Sequence, residues 1–78
     1  MTATIQNPMC DGSHCTSETG EVRVLPVTNF VSGGCSNVIL CRACHWHELS
    51  WRRERNRELA PECQFDLPAF ETLKFYTP

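Results

Sequence analysis

No run of apolar residues in this 78-residue chain approaches the roughly 20 that a membrane-spanning helix requires, so no span is expected. The opening MTATIQNPMC likewise lacks the basic start and the apolar stretch of about 7 to 15 residues that make a secretory signal. A strong excess of positive charge is missing too. Seven Lys and Arg stand against nine Asp and Glu, a net charge of −2, which argues against wholesale attraction to polyanions. There is no internal repeat and no low-complexity segment. At this length there is room for one domain, near the size at which a hydrophobic core needs reinforcement. These absences are read as a cytoplasmic, water-soluble chain that relies on a staple.

What the chain has in quantity is cysteine, six in all. In a reducing compartment such a set is more often metal-binding or catalytic than disulfide-bonded. The cysteines fall as Cys10-x4-Cys15, Cys35, Cys41-x2-Cys44 and Cys63. Four thiolates close a tetrahedral zinc shell when two short-loop pairs converge. Cys41 and Cys44 sit where a strand is expected to pass into a helix, and the free N–H groups of a helix start favour anionic sulfur. Cys10 and Cys15 lie on a tight loop containing Gly12 and are the candidate other half. Six cysteines also allow fifteen disulfide pairings, so a disulfide-stabilised small protein is an alternative. A reactive Cys44 beside His45 and His47 is a further one, although no Cys/His/Asn arrangement can be built around it.

Residues 1 to 9 have no hydrophobic period and are expected as a flexible arm. The alternation in EVRVLPVTNFV predicts a strand interrupted or ended near Pro26. Ser32-Gly33-Gly34 is a turn signal, and the β-branched run Asn37 to Leu40 pairs back to complete a hairpin. From Ala43 to Leu59 helix formers run without Gly or Pro, which predicts a helix stopped by Pro61. The remaining residues, 61 to 78, are rich in aromatic and aliphatic side chains and are expected to fold back onto the domain formed by residues 10 to 60.

The order knuckle, hairpin, then C-x2-C opening a helix resembles the treble-clef zinc-finger superfamily over about Cys10 to Leu59. The resemblance implies a small α+β zinc-stabilised fold with one Zn2+ per chain, held by Cys10, Cys15, Cys41 and Cys44. The first pair departs from the superfamily's usual C-x2-C knuckle, so Cys35, His14, His45 and His47 stay open as substitute ligands, and Cys63 is unassigned. The nuclease branch of the superfamily carries a histidine in its hairpin, whereas residues 22 to 40 hold none; the chain is read as not an enzyme. Residues 8 to 14 also look like the second half of the CDGSH iron–sulfur motif, but its upstream C-x-C pair has no counterpart before Cys10, and the match is set aside.

Five of the seven basic residues lie between Arg42 and Arg57. At 100° per residue, Trp46, Leu49, Ser50, Arg53 and Ala60 fall on one side of the expected helix, a weakly apolar face for the hairpin. Trp51 falls on the other side, either covered by the aromatic tail or exposed. With Arg52, Arg53, Arg55 and Arg57 it forms a candidate binding surface, since Trp and Arg dominate interface hot spots. The expected partner is a protein; a nucleic acid touched by the same arginines is the alternative. A small bacterial, plasmid or phage accessory protein is the associated expectation.

Overall fold

The computed structural model describes residues 5–28 and 34–77, with backbone only at Thr28 and Cys35. Strands β1 (Val22–Thr28) and β2 (Cys35–Cys41) form the hairpin, in a register that sets Val22 opposite Cys41 and Thr28 opposite Cys35. Of the expected Ser32-Gly33-Gly34 turn, only Gly34 is among the described residues. Helix α1 (Arg42–Asn56) follows β2 without a linker. It ends three residues before the expected Leu59, and single 3₁₀ turns occupy Pro61–Cys63 and Phe70–Thr72. The two-residue β3 (Lys74–Phe75) then pairs antiparallel with β1, giving the order β2-β1-β3.

β1 does not stop at Pro26, and the hydrogen-bond directions explain why. The Tyr76 N–H donates to the Val22 carbonyl, so Val22, Val24 and Pro26 turn their backbone groups toward β3. β3 reaches only as far as Val24, and Pro26 therefore lacks an N–H where no partner strand runs.

The core joins Leu25, Val22 and Leu40 to the four buried sulfurs of Cys10, Cys15, Cys41 and Cys44, with Leu73 and Tyr76 packed against it. Trp46 was expected against the hairpin but is 61 % exposed; the buried residues of α1 are Cys44, His45, Leu49 and Arg52. Successive members of the set His45, Leu49, Arg52 and half-buried Asn56 lie three or four apart, so they share one helix face. That face is polar in composition but has partners for its polar groups. Asn56 donates to the Phe65 carbonyl and accepts from the Phe65 N–H. Such bonds fasten the tail to the helix alongside apolar contacts: Phe70 is buried and Leu73 and Tyr76 pack against the core, while Leu67 and Phe75 remain exposed.

Candidate metal centre

The knuckle begins earlier than Cys10. Asn7 is buried, its side-chain oxygen accepts from the Met9 N–H, and its carbonyl accepts from the Cys10 N–H. Within the arm expected over residues 1 to 9, the Gln6 amide likewise donates to the carbonyls of Cys10 and Gly12. The Asp11 N–H donates to the Ile39 carbonyl at 2.7 Å, and the Asp11 carboxylate accepts from the Ile39 N–H at 2.8 Å. This two-bond clasp fixes the knuckle to the outer edge of β2, two residues before Cys41. It brings the first cysteine pair to the second across a sequence separation of about 30.

Gly12 makes the approach close enough. A Cβ there would lie 2.5 Å from the Cys44 Sγ and 2.6 Å from its Cβ, inside any permissible contact.

The Sγ atoms of Cys10, Cys15, Cys41 and Cys44 all lie within 4.8 Å of one another, and all four residues are buried. Cys15 and Cys44 stand 3.6 Å apart. A tetrahedron with Zn–S bonds of about 2.3 Å has edges of about 3.8 Å, so this spacing suits a shared cation. All four are free thiols, as is exposed Cys63. The N–H groups of Gly12 and Cys41 point at the Cys10 sulfur from 3.4 and 3.3 Å, the kind of outer hydrogen bond that supports a thiolate ligand.

Burial pushes the Cys44 and Cys10 thiols above their ordinary value, whereas the Asn7 backbone amide pulls Cys15 down. A set of four soft donors fits Zn2+ or iron and leaves little reason to favour a hard cation.

The alternative ligands are placed elsewhere or not placed. His45 is buried against the tail, its Nε2 2.9 Å from the Pro68 carbonyl, and burial lowers its pKa. His14 and His47 stack on each other at 3.9 Å between ring centroids, at the surface beside the cluster. The Cys35 side chain lies outside the described residues.

The helix arginines do not form one free basic face. Arg52, expected as a binding residue, is 3 % exposed: its Nε donates to Glu48 and its guanidinium reaches the Asp66 carbonyl. It is a fastener for the tail, and the i,i+4 spacing to Glu48 signalled half of that role. Arg42 pairs with Glu71, Arg55 with Glu58 and Arg57 with Glu54; Arg53 has no ion pair among the described residues. Trp51 is 53 % exposed, with one flank against Phe65 at 5.5 Å, so it is both held by the tail and open to solvent. No protein-family profile, no curated protein and no solved structure matches the chain.

Proposed function

We propose that Cys10, Cys15, Cys41 and Cys44 hold one structural Zn2+ in a treble-clef-like module, and that the module binds a protein partner through the outer face of α1. The convergence of four buried sulfurs from two distant pairs carries the metal reading. With four protein ligands the coordination shell is closed, which leaves no open position for a substrate at the metal; we read the site as structural and the chain as non-catalytic. The thiol set suits a reducing compartment such as the cytoplasm. On the helix, Trp51 would anchor the partner, flanked by Arg53, Arg55 and Arg57.

A nucleic-acid partner for the same helix has less support. Four of the five basic residues between Arg42 and Arg57 already face a glutamate, so few positive charges remain to release counterions from a phosphate backbone. The membrane has no part in the proposal: among the described residues no helix is long and apolar enough to cross one.

Native mass spectrometry of freshly purified, reduced protein, compared with the denatured sample, tests the metal reading. One zinc per chain that is lost on denaturation is expected. A metal-free mass lowered by two hydrogens per cystine would replace this reading with the disulfide one. For a retained partner, binding that barely changes between low and moderate salt is expected; a steep linear fall of log affinity with log salt would favour nucleic acid.

A further inference from the structure

Beside the cysteine cluster lies a cleft of about 490 Å³, walled by the knuckle at His14 and by α1 at His47, Glu48 and Trp51, with Cys44 also lining it. We propose that this cleft takes a cationic side chain, an arginine, from an extended segment of the partner protein. The inference rests on the zinc-module reading above and names the chemistry its partner brings.

Three features select a cation. Four thiolates around one dication leave two net negative charges on the centre, and the Cys44 sulfur carries that charge to the cleft wall. Glu48 adds a carboxylate whose charge is shared with Arg52: its Oε2 accepts from Arg52 Nε at 3.1 Å, which fixes the side chain, while its Oε1 is in no hydrogen bond among the described residues. The half-exposed Trp51 ring offers a face for a planar guanidinium, and arginine stacks on indole better than lysine does.

The chain does not fill the cleft from its own supply. No Arg or Lys lines it among the described residues. Arg52 is committed to Glu48 and Asp66, and Arg55 to Glu58. The walls are also pre-set: His14 and His47 brace each other as a stack, and Phe65 backs the indole of Trp51. Little ordering is then left to oppose binding of one flat cation.

The test is a 15N NMR titration of the intact chain, its zinc content first read by native mass spectrometry. The probe is the capped pentapeptide Gly-Ser-Arg-Ser-Gly, compared with the same peptide carrying neutral, isosteric citrulline. The arginine peptide is expected to shift the Trp51 indole signal and the amides of His14 and His47, with the citrulline peptide about five- to tenfold weaker. Trp51→Ala should abolish these shifts, and Glu48→Gln should weaken binding several-fold while the rest of the spectrum stays native. Equal binding of the two peptides, shifts elsewhere, or no shifts from either peptide on zinc-loaded protein would overturn the proposal and leave the zinc module standing. A short oligouridine that moves these signals when the arginine peptide does not would also overturn it. Absence of zinc in the initial mass spectrum would instead remove the reading beneath it.

Discussion

Gly12 occupies a position where backbone must pass within contact distance of a sulfur, and its requirement is steric. The methyl group of Gly12→Ala would meet Cys44 at 2.5 Å and Leu40 at 3.3 Å. Either the knuckle lifts from β2, straining the Asp11 clasp, or the Cys44 sulfur leaves the cluster. Overpacking of this kind costs roughly 1 to 3 kcal/mol, which in a domain this small is a fall of about 5 to 20 °C in melting temperature. Differential scanning fluorimetry of zinc-loaded Gly12→Ala checks it, and an unchanged melting temperature would mean the knuckle is not held against Cys44. Cys44→Ser or Cys41→Ser has a larger expected effect: loss of native NMR dispersion, because binding energy of a structural zinc is folding energy. A metal-free mutant with a native spectrum would contradict that.

At this scale the sequence was informative about the sulfurs and silent about their supports. The C-x2-C at a helix start and a second pair around a glycine are spacing signals, and the four sulfurs they mark do converge. Asn7 acts locally, on Met9, Cys10 and Cys15, whereas Asp11 and Gly12 act through β2 and Cys44, contacts between segments far apart in sequence. No local pattern encodes such contacts.

The helix shows the same division at the next scale. Its existence was legible from a run of helix formers, and its C-terminus was misplaced by the turn residues 57 and 58 that continue its spiral without full helical bonds. Its buried face was legible only at Leu49, because a hydrophobic vector weighs Trp46 as inward and Arg52 as outward. The structure inverts both: the inward face is His45, Leu49, Arg52 and Asn56, whose polar groups bond to the tail. β3, two residues long, leaves too short a pattern to detect.

Arg52 therefore belongs to stability. Arg52→Ala would leave the Asp66 carbonyl without its donor and Glu48 without its partner, at a cost of about 1 to 3 kcal/mol. Arg52→Lys is expected to recover little of it, since one ammonium cannot reproduce the fork that joins Glu48 to Asp66. Amide hydrogen exchange locates the effect. Protection should fall first over residues 65 to 76, with the cluster end of the molecule spared at small perturbation; a uniform loss across the chain would show that the tail and the hairpin unfold as one unit.

For the molecule as a whole, the core and the cluster are the same object. Four of its buried apolar-class residues are the cysteines themselves, and only Leu25 among the described residues is fully shielded from solvent. If the proposed zinc reinforces this small core, the fold becomes a function of zinc concentration, and chelation is expected to unfold the chain reversibly, followed by circular dichroism. The pH dependence then follows from the thiols. In the metal-free fold burial raises Cys10 and Cys44 above the ordinary thiol value of 9.0, so both carry protons at neutral pH. Zinc must displace those protons, and each one released makes the apparent affinity rise tenfold per pH unit until the thiol's own pKa is passed. Two such protons give at least a hundredfold rise per unit from about pH 6 to 8. The sign is fixed: acid reprotonates the ligands, releases the metal and removes the stability it supplied, while alkali up to the raised thiol values strengthens binding. Competition against a chromophoric chelator across that range measures the slope, and a slope near zero would mean that the metal meets thiolates already formed, or that sulfur does not hold it.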